Sequence, residues 1–480
     1  MTGEIFNLQL DKLTYGGDCL GRLEDGRAVF VPFALPGETV RARSVDEKRS
    51  HVRAELIEVL QPSPERILPK CKHFFSPLPL EKGTGARSVS PLPSGAPQGC
   101  FAKRPGVRFA CGGCHYQHMP YPAQLGAKEA ILRDQLARIG RIENPPVRPI
   151  VPSPLEWNYR NHVQFHLTPE GKLGYVSPLL LGEGPGVRSS PPLPSGAPRG
   201  CFAKGPGVRA ITECHLPESP LASLWPQLEF EPDLGLERVS LRLGTDGEVM
   251  LILESSDPHP PELEIEAELS VVHLSGDDAV VLAGDDHLFI QVLDRRFRVS
   301  AGSFFQVNTA MAAKMVEYLL TCIPVSLSTT LLEVYCGVGL FSAFLAPRVE
   351  RLIGVEAAPS SCEDFVANLD EFENVELYEG AAEEILPALV GRIGNSPYVL
   401  VDPPRAGLER RALEAILALR PEALAYVSCD PSTLGRDAAR FSEAGYHLRE
   451  VTPFDLFPQT YHIESISFFE KAKSRDFAIH

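Results

Sequence analysis

The sequence predicts an α/β protein in three parts: a small β-barrel, a β-rich middle and a C-terminal doubly wound parallel sheet. Three observations predict it. Residues 1–60 alternate apolar and polar between glycine turns. Short β-like runs recur from about 147 to 300. From about 301 onward strand-like runs alternate with helical segments, as they must when each parallel strand is joined to the next by a crossover helix.

In the first part, Tyr15-Gly16-Gly17 and Glu24-Asp25-Gly26 supply turns, and Val29-Phe30-Val31-Pro32 closes a strand before Pro36-Gly37. The run GGDCLGRLEDGRAVFVPFALPGETV resembles a TRAM domain, which implies an RNA-binding barrel over 1–62; any other small barrel is the plain alternative. The net charge of −16 argues against a phosphate partner until the chain is divided. Residues 1–230 carry 27 Lys+Arg against 21 Asp+Glu, while 231–480 carry 19 against 41, so an RNA contact belongs mainly to the first half.

The middle, 63–300, is interrupted twice. Residues 76–108 and 177–209 are near copies at an offset of 101, sharing SGAP, GCFAK and PGVR, and their Pro, Gly and Ser content cannot bury a core. They read as acquired insertions without a function of their own. Residues 120–140 have apolar positions at helical spacing, ending at Gly140 before Pro145 and Pro146. HVQFHL, VSLRLG and EVMLIL then read as strands.

In the third part, 301–480, the strands are LLEVY, RLIGVE, VELYE, YVLVD and ALAYVS. The first runs into Gly337-Val338-Gly339, where glycine lets the backbone pass close to a ligand. Alone that is a weak signal, equally a tight turn. Glu356 ends the next strand about 20 residues on, where a carboxylate can accept from both ribose hydroxyls, so the pair indicates an adenosine-containing cofactor. Asp402 ends a later strand beside the same crevice.

EVYCGVG, LVDPPRAGL, YVSCDPSTLGRD, SFFQVN and FPQTYHIE resemble the RNA uracil-C5 methyltransferases, over essentially the whole chain outside the two insertions. The resemblance implies a Rossmann-like domain that binds S-adenosylmethionine through Gln306, Tyr335, Gly337, Gly339, Glu356 and Asp402. Ala381 departs from it, standing where a polar contact to the adenine edge is expected. Carbon 5 of uracil is too weak a nucleophile to take a methyl group unaided, so a thiolate must add to carbon 6 and a base must later remove the carbon 5 proton. The resemblance assigns these roles to Cys429 and Glu464. Without it, Cys429 reads as a small core residue ending a strand, and Glu464 as an exposed strand carboxylate. His462 is the more usual base near neutral pH, or it orients Glu464 or the substrate. Arg405 suits a phosphate or a carboxylate, and Phe304-Phe305 either the core or a flipped base.

Eleven cysteines are too sparse for a disulfide scaffold. Cys111-Gly112-Gly113-Cys114 has a spacing that serves zinc or iron–sulfur ligation, and without 76–108 only six residues separate Cys71 from Cys111. Cys214 is the remaining candidate. The branch of the family with CxHF…CGGCxxQH, a string continued here by Gln117, His118 and Tyr121, implies a [4Fe–4S] cluster held by Cys71, Cys111, Cys114 and Cys214 and a 23S rRNA substrate. Zinc is the alternative metal. A structural role is expected, since methyl transfer through a thiol adduct needs no electron. Cys100 and Cys201 fall in the insertions and are not expected to ligate; Cys19, Cys322 and Cys362 have no partners in sequence, and Cys336 reads as structural.

Transfer RNA is the alternative substrate, and a non-catalytic RNA-binding protein the alternative class. A cytosine-C5 enzyme would carry a Pro-Cys pair after the Asp402 strand, where Pro403-Pro404-Arg405 stands. No run of about 18 apolar residues occurs and MTGEIFNLQLDKL lacks the features of a signal peptide, so a cytoplasmic monomer without a membrane partner is expected.

Overall fold

The computed structural model describes residues 3–74, 111–176 and 208–471, apart from 233, 263, 265–267 and 394–396. Insertion 76–108, all but the last two residues of 177–209, and Cys100 and Cys201 lie outside the described residues. Of the described residues, those up to Pro120 form one compact unit, and those from Tyr121 to Tyr175 and from Val208 onward form another. The segment 63–300 is thus divided at Pro120.

In the first unit, β1 (Ile5–Leu13), β2 (Asp18–Arg22), β3 (Ala28–Pro32), β4 (Thr39–Glu47) and β5 (His51–Gln61) close a barrel in the order β1-β2-β3-β5-β4. Alternation sends Leu10, Cys19, Val29, Val31, Val40 and Val52 inward. The outer face carries ion pairs such as Arg41–Glu58 and Arg43–Glu55, both 2.8 Å. One ion pair is inside. The Glu38 carboxylate, fully buried, accepts the Leu35 N–H at 2.8 Å and pairs with Arg66 Nη2 at 2.7 Å.

The second unit opens with α1 (Tyr121–Arg138), where helical spacing predicts it. Then come β6 (His162–Leu167), β7 (Leu173–Val176), β8 (Val208–Ala210), α2 (Ser219–Leu224), β9 (Arg238–Leu243), β10 (Val249–Glu254), β11 (Ser270–Ser275) and β12 (Asp278–Ala283). Their strands form a sheet in the order β12-β11-β10-β9-β6-β7-β8. Val208 and Arg209, which the repeat assigns to the second insertion, begin strand β8. A hairpin of β13 (His287–Val292) and β14 (Arg295–Ser300) follows.

The large sheet is built from β15 (Thr330–Val334), β16 (Arg351–Glu356), β17 (Val375–Glu379), β18 (Tyr398–Val401), β19 (Ala423–Ser428), β20 (Tyr446–Phe454) and β21 (Glu464–Lys471). Helices α3 (Thr309–Cys322), α4 (Ser342–Leu345), α5 (Pro359–Asn368), α6 (Ala382–Leu389), α7 (Arg410–Ala418) and α8 (Pro431–Glu443) alternate with them. The order is β17-β16-β15-β18-β19-β21-β20; the strands from β17 to β19 are parallel, and β21 enters antiparallel between β19 and β20. Neighbouring residues face opposite cores: Leu331 packs with residues of α3, α4 and α5, and Leu332 with residues of α1, α6, α7 and α8. Burial on both faces is why these strands read as continuous apolar runs. No helix among the described residues is long and apolar enough to cross a membrane.

Candidate active site

In a parallel sheet, residues that follow the carboxyl ends of the strands gather at one edge. Here the register fixes which residues those are. Val334 pairs with Val355 and Val401, so Tyr335, Glu356 and Asp402 come next at that edge. Ser428 pairs with Ser465 in antiparallel register, which makes Cys429 and Glu464 the next residues out on their two strands.

The backbone turns sharply at the end of β15, with positive φ at Tyr335 (63°), Gly337 (53°) and Gly339 (87°). A tyrosine in the left-handed region is strained, and strain of this kind collects at functional sites. At Gly339 a Cβ would strike Leu369 and Phe365, whereas at Gly337 it would meet nothing within 4 Å, so the loop presents open space there. The Gly337 N–H turns to Glu356 Oε2 at 2.9 Å, and Glu356 Oε1 accepts from Ala357 and Ala358 N–H, both at 2.8 Å. These bonds fix the carboxylate and leave it lone pairs for hydroxyl donors, the chemistry a ribose presents. Asp402 is tied to the same loop by its N–H to the Val334 carbonyl (3.1 Å). Burial, and then Glu356, push its carboxyl up to about 7.

Gln306 lies on the loop before α3, where Asn161 Nδ2 donates to its carbonyl at 3.1 Å and to Thr309 Oγ1 at 3.0 Å. Asp364 of α5 fixes the start of this loop by accepting from the Ser300 N–H (2.7 Å) and hydroxyl (2.8 Å). The adjacent aromatics separate: Phe305 is in the core and Phe304 is 69% exposed. Ala381 precedes α6 without a side-chain cap and offers no polar group.

Cys429 sits between β19 and α8, whose first turn is capped by Asp430 accepting from Ser432 (2.8 Å) and Thr433 (3.0 Å). Burial, with Glu464 and Asp402 next, drives its thiol far above the ordinary range, against the pull of Arg405. Glu464 is buried, and its carboxyl is raised well above the usual value by burial and then by Asp402, opposed by Arg405 and Lys128. Without substrate the thiol is therefore neutral, and the Glu464 carboxyl is shifted toward its protonated form. His462 Nδ1 lies 3.4 Å from Arg405 Nη2, beside the strand that begins at Glu464.

Three residues at this edge escape a sequence reading. Lys128 on α1 pairs with Asp455 at 2.6 Å, both side chains fully buried. Glu333, under the cofactor loop, accepts from the Ser342 hydroxyl at 2.5 Å, and burial raises its carboxyl to about 8. The only sequence signal for Lys128 is a Gln and a Lys four apart, at 124 and 128, in a helix whose apolar stripe must be buried.

The cysteine string fares differently. Cys71, Cys111 and Cys114 are all buried in the first unit, while Cys214 belongs to the second. Among the described residues no group of three or more His, Cys, Asp or Glu side chains is placed to hold a metal ion, so the expected four-cysteine centre is not met by this arrangement. What surrounds two of the sulfurs is specific: Cys71 Sγ accepts the His73 N–H and Cys111 Sγ the Gly113 N–H, both at 3.4 Å. Gln117 Oε1 accepts the Cys71 N–H at 3.0 Å, and the Tyr121 hydroxyl accepts the Ser153 N–H at 2.8 Å, so these members of the string hold backbone.

The sequence profile described as tRNA (Uracil-5-)-methyltransferase matches residues 267–472, and that of the TRAM domain matches 1–57. An uncharacterized RNA methyltransferase of Thermosynechococcus vestitus is 32% identical over 97% of this chain and 98% of its own. One from Gloeobacter violaceus is 30% identical, with 98% of each chain covered. Among solved structures, Pyrococcus abyssi tRNA (uracil-54, C5)-methyltransferase in complex with S-adenosyl-L-homocysteine superposes with a TM-score of 0.62 at 20% identity, covering 97% of this chain and 100% of that one, a likeness of fold. With a TRAM barrel at its start and relatives of matching length, the chain belongs to the RNA uracil-5-methyltransferase family.

Proposed function

We propose that this protein transfers a methyl group from S-adenosylmethionine to carbon 5 of a uridine in RNA, with Cys429 as nucleophile and Glu464 as base. The observation that carries the reading is the register that makes Cys429 and Glu464 neighbours at the edge where Gly337 leaves open space and Glu356 is fixed. Bound there, S-adenosylmethionine supplies an electrophilic methyl on a sulfonium. Gln306, Tyr335, Gly337, Gly339, Glu356 and Asp402 would hold it. The Cys429 sulfur bonds to carbon 6, and the electrons of the 5,6 double bond move to the carbonyl oxygen as an enolate. Carbon 5 takes the methyl group as the enolate collapses, the methyl–sulfonium bond breaking to leave a neutral thioether; Glu464 removes the carbon 5 proton, and the restored double bond expels the Cys429 sulfur. The thiol must lose its proton before attack, and Glu464 must be ionised before it can accept the carbon 5 proton, so substrate binding has to favour both charged forms.

Ribosomal RNA of the 23S type is the proposed substrate, from the CGGCxxQH string and the basic first half. Transfer RNA is the second reading, because the matching profile and the Pyrococcus abyssi enzyme are both named for it. Mass mapping of both RNAs from cells with and without the gene decides between them. RNA carrying fluorine at carbon 5 tests the mechanism: with no proton to lose, the adduct should freeze on Cys429, and a peptide map showing no link there overturns the assignment.

A [4Fe–4S] cluster on Cys71, Cys111, Cys114 and Cys214 is a separate proposal, resting on the Cys-x-x-Cys spacing and the CxHF…CGGCxxQH string alone, since no metal-holding group is formed among the described residues. Anaerobically purified protein should contain iron and sulfide that Cys111→Ser removes; zinc without sulfide overturns it.

A further inference from the structure

The turn from β20 to β21 delivers Glu464, yet it is held largely by residues far away in sequence. Gln124 and Gln459 exchange bonds, Gln124 Nε2 to Gln459 Oε1 and Gln459 N–H to Gln124 Oε1, both 2.9 Å. One helical turn on, Lys128 Nζ donates to Asp455 Oδ1 at 2.6 Å and to the Phe457 carbonyl at 3.0 Å. Gln459 has a φ of 69°, a conformation a glutamine adopts only when its surroundings impose it. All four side chains are buried. Two polar residues on one face of α1 therefore clamp both ends of a five-residue stretch just before the proposed base.

We propose that Lys128 and Gln124 are positioning residues for removal of the carbon 5 proton: they fix the 455–459 turn, and Lys128 supplies a buried positive charge to Glu464. The inference rests on the reading of Glu464 as the base. The charged and titratable groups facing Glu464 are Asp402 and Arg405 after β18, Cys429 and Asp430 between β19 and α8, and Lys128 from α1. Asp402 and Asp430 favour the protonated acid, in which state Glu464 cannot accept a proton. Arg405 and Lys128 are the two cations that oppose them. Arg405 stands beside His462 on a loop open to substrate, whereas Lys128 is sealed beneath.

The test replaces the ion pair by a neutral hydrogen-bonding pair, Lys128→Gln with Asp455→Asn, which avoids a lone buried charge. Single-turnover methyl transfer should stay close to wild type. Release of methylated RNA should slow about tenfold, with the covalent adduct visible on a denaturing gel, and the pH midpoint of release should rise by about one unit. Gln124→Ala should slow release without moving that midpoint, because it loosens the turn and leaves the charge in place. Unchanged release and an unchanged midpoint in the paired variant overturn the proposal. So does an equal fall in transfer and release together with a lower melting temperature, which marks a merely structural role. Glu464→Gln run alongside separates the two readings. If it accumulates no adduct, the base assignment fails and this proposal with it; if it does while the paired variant behaves as wild type, only the positioning role fails.

Discussion

On the barrel, Arg41 and Glu58 pair at 2.8 Å with side chains 43% and 40% exposed; at the edge of the large sheet, Lys128 and Asp455 pair at 2.6 Å with neither exposed. The contacts look alike, but the surroundings give them different weight. An exposed pair exchanges good hydration for modest attraction and is worth about 0–1 kcal/mol. A buried pair has already given up its hydration, so removing one partner strands the other at a cost of about 3–5 kcal/mol. The barrel can thus vary its outer charges at little cost in stability. At the sheet edge Asp402, Arg405 and Lys128 all bear on the protonation of Glu464.

The sharpest test of that contrast is Cys429→Ala, which should lower methyl transfer by about 10³-fold or more while binding of S-adenosylhomocysteine is unchanged. Residual activity of a few per cent would remove the edge from the chemistry. Next, Arg66→Met strands the buried Glu38 carboxylate, which also holds the Leu35 N–H. The first unit should lose about 3 kcal/mol in denaturant unfolding. A loss under about 1 kcal/mol would place Glu38 among the soft surface charges.

The third test uses pH. Asp402 is pushed up to about 7, above its ordinary 3.8, so the folded state holds its proton more tightly than the unfolded chain does. The stability this contributes is complete below about 4 and is lost as pH rises through about 7, by at most roughly 1.4 kcal/mol per pH unit for one group. The melting temperature of the ligand-free protein should fall over that window, and Asp402→Asn should flatten the slope; an unchanged slope would clear Asp402 of the effect. The smallest change is expected from Arg41→Ala, within about 0.5 kcal/mol by thermal melting. A larger loss would break the comparison from the barrel side.

Sequence reading reached furthest where one local rule decides the outcome. The apolar runs LLEVY and ALAYVS become β15 and β19, and 120–140 becomes α1, because burial on both sheet faces or on one helix stripe leaves a periodic signature. Cys429 and Glu464 stood out only through the strings around them; by composition alone each had a plainer reading, and what joins them is the register of β19 with β21. Lys128, Asp455 and Glu333 left no such trace, since a buried charge looks like any surface charge until its partner, 327 residues away in the case of Lys128, is known. A copied sequence need not stop where a strand begins: Val208 and Arg209 fit both the repeat and β8.

The position of β21 in the sheet bears on the making of the protein. It is the last strand of the described chain, yet it lies between β19 and β20 and not at the rim. Domains form as the chain emerges, earliest segments first. A chain on the ribosome can complete the barrel and the five parallel strands β15 to β19 before residue 464 exists, but in that state the flank of β19 is bare and Glu464 is absent from the carboxyl edge. A product cut short there would carry Cys429 without Glu464. Because the same strand supplies both the missing wall and Glu464, a chain folded only as far as β19 presents Cys429 on an incomplete edge.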